Sequence, residues 1–244
     1  PKDGRAFAPN RSRTGEAESR VPKNDQIVSR DLPFHPDLVV PTLHEVRLDI
    51  PDPDPVDDVE GAARAAVVTR LAANLTKGMT VAVGGGSRGL SGRVELLRGT
   101  IAGLRELGAT PFVVPAMGSH GGATAEGQVA MMASLGMTED SLDCEIRATM
   151  DTVEVARTAS GMPLYLDRHA AAADRIVPVN RVKPHTCFKG SIESGCTKMA
   201  VVGFGKQPGA AQIHSCGPDE MRRRLLDGID ALRSTGRLLG GVAS

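Results

Sequence analysis

The side chains best suited to chemistry crowd into one stretch, NRVKPHTCFKGSIESGCTKMAVVGFGKQPGAAQIH, which runs from Asn180 to His214. It holds His185 and His214, Cys187 and Cys196, and Lys183, Lys189, Lys198 and Lys206, with five glycines among them. It begins straight after an apolar run, Ile176–Val179. Reactive polar groups behind a buried strand are unusual for a segment whose only job is packing. Histidine suits proton transfer at neutral pH, because its unperturbed pKa lies near 6.5. A metal cluster of Cys187, Cys196, His214 and Cys216 is the alternative, but C-x8-C-x17-H-x-C matches no common zinc framework. Buried inert thiols are the plainer reading of the four cysteines, none of which forms a C-x-x-C pair.

Two further loops carry groups of the same kind. MGSHGGAT sets His120 among small residues that let a ligand come close. GGGSRGLSG offers backbone N–H groups at Gly86 and Ser87, together with Arg88, to a phosphate or carboxylate. A solvated arginine on a tight glycine turn is the structural alternative. GGSRG also occurs in short-chain dehydrogenases, but these need Tyr-x-x-x-Lys. The sole tyrosine, Tyr165, is followed four residues later by His169. GSIESGCTK has P-loop glycine spacing, but Cys196 stands where the lysine belongs, which argues against nucleoside triphosphate hydrolysis. His35, His44 and His169 receive no role.

The elements that must position these loops follow from periodicity. Residues 1–38 are polar and interrupted by proline, an expected extended or partly disordered arm; residues 39–244 form the expected α/β domain. Val46, Leu48 and Ile50 alternate as an edge strand. Helices are expected from about Val59 to Leu75, Val94 to Leu107, Thr124 to Leu135 and Pro218 to Leu232, from apolar residues at three- and four-residue steps. Short apolar strands are expected at Met79–Val83, Pro111–Val114 and Ile176–Val179. Ile146 and Val153/Val155 suggest further short strands, and MPLYLDRHAAAADR a strand and a short helix. STGRLLGGVAS has no obvious role. Strand, polar loop and helix in repetition predict an α/β fold with a mainly parallel sheet and helices on both faces, Rossmann-like in outline. Ligands of such sheets bind beyond the carboxyl ends of the strands. Arg88, His120 and His185 are therefore expected to approach one another.

Composition narrows the field. The 244 residues are 41% hydrophobic and 24% charged, ordinary for a globular protein. Aromatics are 2%, and 29 basic residues balance 29 acidic ones, so neither base stacking nor a global field favours nucleic acid or an anionic membrane. No run of 18 apolar residues exists, and PKDGRAFAPNRSR lacks a signal-peptide core. A cytoplasmic location is expected.

SRG, MGSHGGATAEGQ and NRVKPH-x-x-FKGSIESG-x-x-KM-x-x-x-G-x-GK-x-x-GA, in that order, resemble the lactate racemase family from about Arg47 onward. The resemblance implies a racemase or epimerase of a small-molecule 2-hydroxy acid, an isomerase. Its cofactor would be a nickel-pincer nucleotide linked through lysine and supplied by cofactor-synthesis enzymes. By motif, Lys198 resembles the cofactor-linked lysine and His214, sixteen residues on, the nickel-ligating histidine. His120 and His185 resemble the two acid/base histidines, and Arg88 the arginine that meets anionic groups. The family's chemistry is reversible hydride transfer to the cofactor while a histidine takes the hydroxyl proton. Cys187 and Cys196-Thr197 depart from the family's PHTDFKG and ESGLMKM. The family's second, C-terminal domain is expected to be largely absent from this chain. A catalytically inactive anion-binding or scaffold domain of the same fold, and less favoured an NAD-dependent dehydrogenase, are the other readings.

Overall fold

The strands that lead to the site, TVAVGG, TPFVVP and RIVPVN, are short runs rich in valine. The computed structural model describes residues 54–86 and 91–244. The boundary expected near residue 38, the strand at residues 46–50, and Ser87 and Arg88 lie outside the described residues.

In chain order the elements are α1 (Val59–Leu71), β1 (Thr80–Gly85), α2 (Arg93–Glu106), β2 (Thr110–Pro115), α3 (Ala125–Ser134), α4 (Glu139–Leu142), β3 (Thr152–Arg157), β4 (Pro163–Asp167), α5 (Arg168–Ala172), β5 (Arg175–Asn180), α6 (Cys196–Lys198), α7 (Lys206–His214), α8 (Pro218–Ser234) and β6 (Val242–Ala243). A π-helical turn, Met199–Gly203, joins α6 to α7. The sheet runs β2-β1-β5-β6, and every pairing within it is parallel. β3 and β4 form a separate antiparallel pair.

Strand alternation divides the core between the two faces of the sheet. Val81, Val83, Val113, Val177 and Val179 pack with Val67 of α1 and Leu97, Ile101 and Leu104 of α2. Ala82, Phe112, Val114 and Ile176 pack with Phe204, Ile213 of α7, and Leu225 and Leu232 of α8. Helices therefore cover both faces, as expected from the sequence. Caps fix where they start: Asp58 accepts from the Gly61 N–H at 2.8 Å, and Thr124 from the Gly127 N–H at 3.0 Å.

Three features differ from the sequence expectation. β1 continues through Gly84 and Gly85, because the neighbouring strands supply ladder partners that compensate for weak strand propensity. The chain's last residues add β6 beside β5, with Val179 opposite Val242. Residues 196–214, without assigned structure in the sequence reading, form the α6–π–α7 run. Pro208 sits in the first turn of α7, where its missing N–H disturbs no helical bond. Among the described residues, no helix is long and apolar enough to cross a membrane.

Candidate active site at the carboxyl edge of the sheet

Because β1, β2 and β5 are parallel and in register (Gly85 opposite both Pro115 and Val179), the segments that follow them leave by one edge. There they border a cavity of about 220 Å³. The β2 end contributes His120, the β5 end Asn180, Arg181 and Lys183, the α6–π run Lys198, and α7 His214. Among the described residues that line it, none is acidic, so the cavity suits an anion.

The loop after β5 is fixed by its own polar groups. Asn180 donates through Nδ2 to the Gly195 carbonyl at 3.0 Å and accepts the Arg181 N–H on Oδ1 at 2.8 Å. Glu193 accepts the His185 N–H at 2.8 Å and the Gly190 N–H at 2.9 Å, and these bonds hold its carboxyl below the usual range. The His185 ring stacks on Phe188, with centroids 4.1 Å apart and planes 16° from parallel.

His185 Nε2 lies 2.8 Å from Lys198 Nζ. The Cys187 N–H donates to His185 Nδ1 at 3.2 Å. A ring nitrogen that accepts carries no proton, so the proton of the neutral ring is on Nε2. In that tautomer Nε2–H donates to Nζ when the lysine is an uncharged amine. Burial, reinforced by the Lys183 charge, pushes the Lys198 pKa down; Cys187 opposes more weakly. Burial, with Lys198 and His214 adding to it, pushes His185 down, and Glu193 opposes.

His214 occupies the last turn of α7, and its Nδ1 lies 2.8 Å from the Ala210 carbonyl. A carbonyl only accepts, so Nδ1 carries the proton and Nε2 keeps a lone pair able to ligate a metal. The cysteine cluster does not assemble. Cys196 Sγ faces the Pro178 and Val242 carbonyls at 3.8 and 3.7 Å, and Cys216 Sγ the Ile213 carbonyl at 3.2 Å. Among the described residues, no group of three or more His, Cys, Asp or Glu could hold a metal by itself.

His120, Lys198 and His214 thus share one cavity, and His185 joins them through Lys198. Gly86 follows β1, and a Cβ there would meet Met199 Cε at 2.5 Å, so a side chain at this position would have to displace the tip of a methionine that lines the cavity. Gly203 allows a similarly close approach, because a Cβ there would lie 2.5 Å from the Ala116 carbonyl oxygen. Asn180 and Glu193, which shape the loop, had no role assigned from sequence, although Glu193 belongs to the ESG motif. Gln128 and Lys206 were likewise passed over. The usable signal was a lysine directly after the apolar run MAVVGFG.

The fold and site define a parallel α/β domain with a cleft lined by basic side chains and a half-buried lysine at its strand ends. Residues 67–219, more than half of the chain, match the lactate racemase N-terminal domain. The chain belongs to that family. No curated protein sequence matches it. Among solved structures, it is similar to the lactate racemase apoprotein from Thermoanaerobacterium thermosaccharolyticum, with a TM-score of 0.50 and 18% identity. That likeness covers 74% of this chain and 47% of the other, so the chain spans about half the length of that relative, and at this identity it establishes the fold.

Proposed function

We propose that this chain supplies the cofactor-holding part of a cytoplasmic 2-hydroxy acid racemase or epimerase that works with a lysine-linked nickel-pincer nucleotide. The observation that carries the reading is Lys198, its pKa lowered by burial and its Nζ 2.8 Å from His185 Nε2, in a cavity shared with His120 and His214. An uncharged lysine is the form that makes a covalent link.

The residues present fit the group. Lys198 would hold it covalently, and His214 would offer Nε2 to nickel, for which imidazole is a suitable ligand. Gly86, Ser87 and Arg88 would meet its anionic part or the substrate carboxylate. When bound, the group supplies a hydride acceptor and donor, chemistry that no amino-acid side chain provides.

The chain's own residues handle protons and charge. Arg181 and Lys183 draw a carboxylate towards the cavity. His120 and His185 would take or return the hydroxyl proton, one for each enantiomer. Partners on this reading are a small 2-hydroxy acid and the enzymes that make the cofactor.

Chiral chromatography of a 2-hydroxy acid panel tests it, using the full chain produced together with the cofactor-synthesis enzymes. Interconversion of at least one enantiomer pair, lost in His120→Ala, is expected; no interconversion by nickel-loaded protein would contradict it. That none of the described lining residues is acidic fits a second reading as well, an anion-binding domain without catalysis. It predicts saturable binding of hydroxy acids with no interconversion.

A further inference from the structure

Lys206 opens α7 with a left-handed backbone, φ 53°, an uncommon conformation for a residue with a side chain. Its side chain is fully buried. A buried lysine is costly unless its N–H groups are matched. Here three oxygens surround Nζ: the Pro115 carbonyl at 2.5 Å, Gln128 Oε1 at 2.8 Å and Asp167 Oδ2 at 3.1 Å. The last is close enough for an ion pair but is not aligned as a hydrogen bond. Oδ1 of the same carboxylate accepts the His169 and Ala170 N–H groups. Asp167 and Gln128 are also fully buried.

An ammonium has three donors and no acceptor. It therefore dictates which way the Gln128 amide faces: oxygen towards Lys206, nitrogen away. Nε2 then donates to the Gly118 carbonyl at 2.8 Å and to the His120 carbonyl at 3.3 Å. Pro115 is the last residue of β2, and Gly118 and His120 belong to the loop that follows it. One buried charge thus holds both the start of this loop and, through Gln128, its far end.

We infer that Lys206 is a positioning residue: its ammonium, balanced by Asp167, orients the Gln128 amide and thereby sets where His120 stands at the cavity. Replacing a buried ion pair with apolar groups is often neutral or stabilising. Placement of the loop, rather than stability, is accordingly what this network supplies. The catalytic meaning of His120 rests on the function proposed above; the relay itself does not, and its test uses no turnover.

Gln128→Met keeps the volume of the side chain and leaves Lys206 its Pro115 and Asp167 partners. Lys206→Met with Asp167→Asn removes the charges together, so that no lone carboxylate is buried. Amide hydrogen exchange and NMR titration of the His120 ring are measured on both variants in the full chain. About tenfold faster exchange confined to Gly118–Gly122, the scale of one lost hydrogen bond, is expected, with a moved His120 titration midpoint. Strand amides of β1 and β5 should keep their protection. Unchanged loop exchange and His120 titration in folded Gln128→Met would overturn the inference. So would exchange that rises equally across the sheet, which is the mark of a merely stabilising core group. Should the double variant fail to fold, Gln128→Met alone decides.

Discussion

His185 Nε2 and Lys198 Nζ stand 2.8 Å apart, and the Cys187 N–H donates to the opposite ring nitrogen of His185 at 3.2 Å. Lys198 reaches this position because the π turn that follows it packs against the end of β2, where the Gly118 N–H donates to the Gly203 carbonyl at 3.1 Å. Such wide turns are frequent at functional sites.

A lysine whose pKa is lowered by burial holds more nucleophilic free amine at a given pH. Lys198 should therefore be acylated by acetic anhydride at pH 7 faster than Lys77 or Lys189, with a pH–rate midpoint below the ordinary lysine value of about 10.4. Peptide mapping by mass spectrometry reads this directly. Equal rates at all lysines would contradict the lowered pKa of Lys198.

The same shift has a stability consequence. The unfolded chain keeps the Lys198 proton up to about pH 10.4, whereas the folded chain releases it lower, since its pKa is depressed. Across that window the unfolded state binds more protons, so stability rises with pH. At pH 7 the lysine therefore costs stability. Lys198→Met should raise the Tm at pH 7, with the gain shrinking towards pH 10. A lower Tm, independent of pH, would count against it.

Glu193→Gln should loosen the loop that carries His185. The carboxylate accepts two N–H bonds, and an amide can accept through one oxygen only. Hydrogen exchange at His185 and Gly190 is expected to rise about tenfold. Its folded pKa is lowered, so the wild-type contribution is present above about pH 4.3 and is lost as pH falls through the folded value. Exchange in the wild type should therefore approach that of the variant in acid.

Gly203→Ala forces a Cβ to within 2.5 Å of the Ala116 carbonyl oxygen and 3.0 Å of Met199 Cγ. Backbone cannot yield as a side chain tip can. A loss of about 1–3 kcal/mol, the usual range for overpacking, should appear in urea unfolding, with weakened ligand binding at the cavity. An unchanged midpoint would show that the close approach is dispensable.

Much of this was legible in the sequence for identifiable reasons. α2 and α8 announce themselves by apolar residues at three- and four-residue steps, and β2 and β5 are apolar runs whose polar sequels mark the ligand edge. His120, His185, Lys198 and His214 stood out because reactive side chains cluster among glycines. What was hidden depends on tertiary contact. β6 is two residues long and exists only through pairing with β5. The 196–214 helices contain Gly203, Gly205, Pro208 and Gly209, which suppress any helix signal, and their stability comes from packing on the sheet. The cysteines drew attention by type, yet Cys196 serves packing between β5 and β6, where a Cβ on Gly241 would lie 2.7 Å from its sulfur. Burial of Lys206, Gln128 and Asp167 is not written in residue type, because polar residues are ordinarily outside.

The central claim is that Lys198 carries the cofactor and His214 the metal. Intact-mass and peptide mass spectrometry, with metal analysis, on the chain produced alongside the cofactor-synthesis enzymes tests it most directly. The account predicts a nucleotide-sized adduct on Lys198 and stoichiometric nickel, with the nickel lost in His214→Ala and both adduct and nickel lost in Lys198→Ala. Unmodified Lys198 in protein without nickel, or nickel retained in His214→Ala, would contradict it.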